Sequence, residues 1–242
     1  MFVHWWDHIG DRFFDATHLD VEQWIAGHRD DWSAQTRKRA FSDVKMLYVW
    51  CEREALVIRN PANLAWAPKV PKGQPRPVSS TVLEDCLTHG DHIDRRGVAL
   101  MAYGGLRCME VAGLRWGQVD FADDIMWIDG KGGQRRFVFV NQYLRPWLAA
   151  LDGADPTDPL YPGKRGNALC PDWVSTRISR HCHALGHGVT AHQFRHYYAT
   201  RLYAKCGDIE VVKAQLGHAN VATTEIYTAV SREKIRLGAL MF

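Results

Sequence analysis

Long apolar runs are missing from this chain: none approaches the roughly 20 residues of a membrane-crossing helix, so no spanning segment is expected. The opening Met-Phe-Val-His-Trp-Trp-Asp lacks a signal-peptide pattern. Six cysteines (Cys51, Cys86, Cys108, Cys170, Cys182, Cys206) are scattered without a Cys-x-x-Cys pair, which points to reduced thiols in a cytosolic protein. Internal repeats and low-complexity tracts are absent as well. The net charge of +3 is too small to argue by itself for a nucleic-acid partner. What remains is an ordinary globular composition: 46% hydrophobic and 24% charged residues over 242 positions, enough for one large domain or two modest ones.

The distribution of charge says more than its sum. Residues 1–31 carry seven acids (Asp7, Asp11, Asp15, Asp20, Glu22, Asp30, Asp31) against Arg12 and Arg29. Residues 32–77 carry nine bases against Asp43, Glu52 and Glu54. A phosphate-facing surface is therefore expected to begin near residue 33, with Arg37, Lys38, Arg39, Lys45, Lys69, Lys72 and Arg76 as its candidate contacts. A solvated helix face accounts equally well for the Arg37-Lys38-Arg39 run taken alone.

Five prolines between Pro61 and Pro77 cannot continue helices or central strands, so that stretch reads as a linker. The chain divides accordingly into a helical domain over 1–67, a basic, proline-rich linker over 68–77 and a second domain over 78–242. In the first, Val21, Trp24 and Ile25 outline one apolar helix face, and Val44, Leu47, Tyr48 and Cys51 another, with Ser33 as the cap of the second helix. The aromatic residues Trp5, Trp6, Phe13, Phe14 and Trp24 read as core. After the linker, helices are expected from Ser79 or Ser80 through Leu87, over Arg96–Tyr103 and over Glu110–Leu114. Ile125–Ile128 and Arg136–Val140, separated by Gly130-Lys131-Gly132-Gly133, form a hairpin. Helical patterning resumes beyond Gln142, interrupted by a loop over 152–166. The fold class is mainly α with a small antiparallel sheet.

The chemistry concentrates near the C-terminus. Thr190-x-x-Gln193 is a capping box, so a helix begins there and carries His192 and Arg195 three residues apart on one face. Both can address one anion, which a helix N-terminus also favours. The next helix starts at Asp208 or Ile209, with an apolar stripe of Ile209, Val212 and Leu216, and ends at Gly217, leaving His218 on the turn. Tyr227 follows nine residues after His218. Upstream lie Arg107, within Gly104-Gly105-Leu106-Arg107-Cys108-Met109-Glu110, and Lys131 in the hairpin turn.

In this order and spacing the motifs Gly-Leu-Arg-x-x-Glu, Gly-Lys-Gly-x-x-x-Arg, His-x-x-Arg-His and Leu-Gly-His followed by Tyr resemble the tyrosine recombinases, or phage integrases. The resemblance covers about residues 33 to 230. Ala191 stands where the family often has Pro, and Tyr197-Tyr198 where Thr-Phe is common; neither position carries the chemistry. The resemblance implies a core-binding domain and a catalytic domain that clamp duplex DNA. It also implies a transesterification in which Tyr227 attacks a phosphate, leaving a 3′-phosphotyrosyl link and a free 5′-hydroxyl, with no cofactor. Arg107 and Arg195 would stabilise the phosphoryl transition state, where planar bidentate donors suit the charge on the non-bridging oxygens. Lys131 would protonate the leaving oxygen, His192 would assist deprotonation of a phenol whose pKa is about 10, and His218 would bond a non-bridging oxygen. Glu110 would orient Arg107. The implied partners are double-stranded DNA attachment sites, three further protomers in a tetramer on paired sites, and accessory factors of host or phage.

Rivals stand beside several of these roles. Arg135 and Arg136 compete with Lys131; Tyr197, Tyr198 and Tyr203 compete with Tyr227 but read as core; His196 reads as a packing residue. His183 and His187 have a spacing suited to zinc, but no second ligand pair accompanies them, so no metal site is expected. The tail from Ser231 to Phe242 offers Ile235, Leu237, Leu240 and Met241 for burial, on a neighbouring protomer or on its own domain. A topoisomerase using the same cleavage, and a DNA-binding regulator without catalysis, are the competing functional readings; the complete catalytic set argues against the latter. No room is left for an additional N-terminal arm-site module, which suggests either a simple integrase working on a core site or a sequence truncated at its N-terminus.

Overall fold

The computed structural model describes residues 2–71, 76–130, 133, 135–149, 155–217 and 237–238. The chain forms two compact units, Met1–Gln74 and Pro75–Phe242. In the first, α1 (Phe2–Ile9) runs into a 3-10 turn (Gly10–Asp15), followed by α2 (His18–Gly27) and α3 (Ala34–Arg53). Thr17 opens α2 with a capping box closed by Asp20, and Ser33 opens α3 by accepting from the Thr36 N–H. Trp5, Ile9, Phe13, Val21, Trp24, Ile25, Val44 and Tyr48 build the core of this unit.

Two of the aromatic residues expected in that core lie outside it. Trp6 is 54% and Phe14 58% exposed, because α1 turns Trp5 and Ile9, one helical turn apart, inward and leaves Trp6 on the other side. The proline-rich stretch also begins later than its first proline implies. Pro61 and Ala62 are buried in a short 3-10 turn, and the Asn60 side chain ties that turn to α3 by donating to the Lys45 carbonyl at 2.9 Å. Tyr48, fully buried, donates its hydroxyl hydrogen bond to the Phe13 carbonyl at 2.8 Å and stacks on the Phe13 ring.

In the second unit, α4 (Ser80–Thr88), α5 (His92–Gly104) and α6 (Cys108–Gly113) precede a three-stranded antiparallel sheet. The sheet runs β1 (Val119–Asp120), β2 (Ile125–Asp129), β3 (Arg135–Phe139), with Ile125 opposite Phe139 and Asp129 opposite Arg135. The expected hairpin is present, joined by a short first strand that the pattern does not signal. Both faces are covered. Met126, Ile128, Val138 and Val140 join the main core under α4 and α5, while Ile125 and Phe139 pack with Tyr198, Leu202, Val211, Val212 and Leu216. Then come α7 (Arg145–Ala149), α8 (Pro171–Ala184), α9 (Ala191–Cys206) and α10 (Ile209–Leu216).

The α10 stripe differs from expectation: Ile209 is 51% exposed, and Val211, Val212, Gln215 and Leu216 face inward. The cap at Asp208 starts the helix one residue before Ile209, which places that side chain on the outer face. Replacing Tyr48 with Phe should lower the stability of the first unit by about 1–3 kcal/mol, because the buried Phe13 carbonyl loses its partner. A chemical denaturation curve unchanged by Tyr48→Phe would remove that bond from the account.

Candidate active site

Gly105 ends α5 in the left-handed region (φ +65°), and Tyr198 lies so close that a Cβ there would come within 2.5 Å of its ring. This close approach delivers two things to one place: the Gly105 carbonyl, and Arg107 at the N-cap of α6. Glu110, at the third position of α6, closes a capping box by accepting from the Arg107 backbone N–H at 2.7 Å.

The Glu110 carboxylate is almost wholly buried, and three guanidinium groups converge on it. Arg107 Nη1 donates at 2.9 Å, Arg136 donates through both terminal nitrogens at 2.6 and 3.1 Å, and Arg195 Nη1 stands 3.6 Å away. Burial alone would raise the Glu110 pKa. The hydrogen bonds and charge of Arg136, with the Arg107 N–H and the charge of Arg195, overrule it and hold the carboxyl below its ordinary value. Three cations against one anion leave a surplus of positive charge among the described residues. Such a surplus in a desolvated cluster suits an incoming phosphate.

Arg195 is 4% exposed. Its Nη1 donates to the Gly105 carbonyl at 2.5 Å and its Nη2 to the Leu216 carbonyl at 2.7 Å, so α5 and α10 hold the fork rigidly. Burial, then the charge of Arg107, pulls its pKa down to about 9, which leaves it charged at neutral pH. Arg107 Nη2 donates to the Gly217 carbonyl at 3.1 Å, and one third of its side chain remains open to solvent. The two guanidiniums expected from the sequence are therefore gathered at one carboxylate.

His192 lies in the first turn of α9, near the surface, with its ring centroid 4.5 Å from that of His196. Partial desolvation, then the neighbouring His196, Arg195 and Arg107, lowers its pKa below 6.5, so the ring is neutral and able to accept a proton at pH 7. His196 is also lowered, by burial and by Arg195, in keeping with a packed residue. Because folding depresses both imidazoles, acid favours the unfolded chain as pH falls through the ordinary histidine range.

Lys131, His218 and Tyr227 lie outside the described residues, as does Lys72. Of the rivals to Lys131, Arg136 is committed to Glu110. Arg135 stands over the Trp127 ring at 4.9 Å with Asp129 at 3.6 Å. Tyr198 is fully buried with its hydroxyl donating to Gln215 Oε1, and Tyr197 packs against the core. Tyr203 departs from the expected core position: it is 50% exposed. His181 meets the Cys86 carbonyl at 2.8 Å and bridges α8 to α4, and His187, in the loop after α8, pairs with Asp85 of α4 at 2.6 Å. No group of three His, Cys, Asp or Glu side chains able to hold a metal occurs among the described residues. In the first unit Lys38, Arg39 and Lys69 are exposed and Arg37 and Lys45 half-buried; Arg76, at the start of the second, is exposed. Of the tail, Leu237 is 55% exposed, and Gly238 packs near Cys206 and Val211 of its own chain.

The residue that sequence reasoning undervalued is Arg136. A signal was available: it shares strand parity with Val138 and Val140, so a charge was due on a covered face and needed a buried partner.

Residues 80–234 match the model of the phage integrase family. The tyrosine recombinase XerC of Xylella fastidiosa (strain 9a5c) is 34% identical over 84% of this chain and 72% of its own length. XerD of Ralstonia nicotianae is 29% identical over 98% of this chain and 82% of its own. Among solved structures, the integrase from mycobacterium phage Brujita superposes with a TM-score of 0.61 at 24% identity, covering 98% of this chain and 82% of that one. A lambda integrase dimer bound to a COC′ core site gives 0.68 at 18% identity, with 86% and 80% covered. At those identities the likeness is one of fold. The chain belongs to the phage integrase family of tyrosine recombinases. Its enzymatic class is that of the site-specific DNA recombinases.

The depressed basicity of His192 is directly measurable. Its imidazole resonances should titrate with a midpoint below 6.5, and His196→Gln should move that midpoint upward by removing a neighbouring positive charge. A midpoint above 6.5 in the unmodified protein would contradict the charge environment described.

Proposed function

We propose that this chain cuts and rejoins duplex DNA through a 3′-phosphotyrosyl intermediate on Tyr227, integrating or excising a mobile genome. The observation that carries the reading is the pairing of Arg107 and Arg195 on the buried Glu110 carboxylate. Two planar forks, both charged at neutral pH and held side by side, match the non-bridging oxygens of a phosphoryl transition state. The phenolic oxygen of Tyr227 attacks phosphorus as the bond to the 5′-oxygen breaks; the phenol proton passes to His192, and Lys131 supplies a proton to the departing 5′-oxygen. His218 donates to a non-bridging oxygen. The 5′-hydroxyl of another strand then reverses these steps, releasing the tyrosine, so one phosphodiester replaces another and no nucleotide is consumed.

Arg37, Lys38, Arg39, Lys45, Lys69, Lys72 and Arg76 are assigned to backbone phosphates, which position the protein without reading sequence. Residues 1–67 serve as the core-binding domain, 68–77 as the linker and 78–242 as the catalytic domain. Four protomers assemble on paired attachment sites in the cytoplasm of a bacterial host, with accessory factors of host or phage setting direction. A solved lambda integrase tetramer is bound to a Holliday junction, which supports that assembly by its common fold. Relaxation without strand exchange and loss of catalysis find no support among the relatives, which are recombinases.

Tyr227→Phe should leave core-site binding nearly intact and abolish the covalent protein–DNA adduct on denaturing gels. An adduct that persists would transfer the nucleophile to another tyrosine. Lys131→Ala should slow cleavage of ordinary DNA but act far less on a substrate whose 5′-oxygen is replaced by sulfur, a leaving group that needs no proton. Equal slowing on both substrates would withdraw the acid role from Lys131.

A further inference from the structure

Three consecutive carbonyl oxygens at the C-terminal end of α10 each accept a hydrogen bond from a different arginine. Arg136 Nε donates to Gln215 at 3.1 Å, Arg195 Nη2 to Leu216 at 2.7 Å and Arg107 Nη2 to Gly217 at 3.1 Å. A helix leaves its last carbonyls without internal partners and concentrates negative potential there, so this terminus is a second counter-pole for the cluster. The three donors come from β3, α9 and the start of α6, and the same three converge on Glu110.

We propose that Arg136 is a positioning residue for strand cleavage, holding Glu110 and the α10 terminus so that Arg107 and Arg195 keep their phosphate-facing geometry. Two close contacts to the carboxylate belong to Arg136. An ionised carboxylate offers about four acceptor positions, so Arg136 occupies roughly half of them. With those positions vacant, Glu110 swings into a fuller pairing with Arg107 or Arg195, which already stand at 2.9 and 3.6 Å. A guanidinium fully engaged by a carboxylate is lost to the phosphate. Arg136 thus satisfies Glu110 in place of the two arginines that must face DNA.

The route of the chain agrees. At Gly217 (φ +63°) the backbone closes onto Arg136, where a Cβ would lie 2.8 Å from its Cδ and 2.9 Å from its Nε. The next residue in sequence is His218, and Arg136 itself follows Lys131 by five positions. One side chain therefore ties the strand that follows Lys131 in sequence to the helix end that precedes His218.

The proposal rests on the cleavage reading above, and its test uses the full chain on core-site DNA. Adduct formation is followed for Arg136→Met, Arg136→Lys, Glu110→Gln and the Met/Gln double variant. Each is assayed on a phosphodiester and on a methylphosphonate, whose neutral linkage has little need of aligned guanidiniums. Arg136→Met should slow cleavage of the phosphodiester about 100-fold, the scale of losing one transition-state donor, with core-site binding nearly unchanged. Its melting temperature should fall, because a buried ion pair loses one partner, so rates are compared below the melting range of every variant. Arg136→Lys should recover part of the rate, and the defect should shrink on the methylphosphonate. Because Arg136 acts through Glu110, the double variant should be little slower than the worse single one. An unchanged rate, equal slowing on both substrates, or multiplicative losses in the double variant would each overturn the proposal. Absence of a Tyr227-dependent adduct in the unmodified protein would instead overturn the cleavage reading.

Discussion

Guanidinium groups repel one another, and three of them gather in a largely dry site only when something negative stands among them. In this recombinase that counter-charge is Glu110, 4% exposed and met by Arg107, Arg136 and Arg195. A buried pair of charges is seldom a strong source of net stability, because desolvation offsets most of the attraction. One carboxylate cannot neutralise three guanidinium groups, so the cluster keeps a net positive charge, the property on which the proposed phosphate contact draws. Loss of the carboxylate charge would leave three mutually repelling cations braced by the α10 carbonyls alone.

The rest of the second unit makes this convergence possible. Gly105 lets α5 end against the Tyr198 ring, which brings its carbonyl to Arg195. The sheet is covered on both faces, so β3 can carry Arg136 inward on the same side as Val138 and Val140. Finally α10 aims its unpaired carbonyls into the arginines. Covalent connection plays little part, since Arg107 and Gly217 are 110 residues apart and meet at 3.1 Å.

Helix starts and the side chains that share a helix face were legible before any folding was considered. Capping residues mark helix starts locally, which is why Ser33, Ser79, Thr190 and Asp208 were found in their expected roles or within one residue of them. The arginine and histidine of α9 were legible because i, i+3 spacing defines a helix face without reference to anything else. Failures came where a neighbour decides. Trp6, Phe14, Tyr203 and Ile209 are apolar enough for a core, yet the side of the helix that finds a partner is a tertiary matter. Arg136 was seen as one of two arginines beside a lysine turn, and its commitment to Glu110 depended on a contact across 26 positions.

The sequence by itself determined the chemistry on offer: which side chains are permanently charged, which can move a proton, which hydroxyl can become a nucleophile, and where helices begin. These follow from covalent structure and from interactions spanning only a few residues. Only the tertiary structure decided how the charges are shared. Whether an arginine faces a phosphate, braces a carboxylate or caps a helix end depends on which acceptors lie within about 3 Å, a distance set by packing between distant segments.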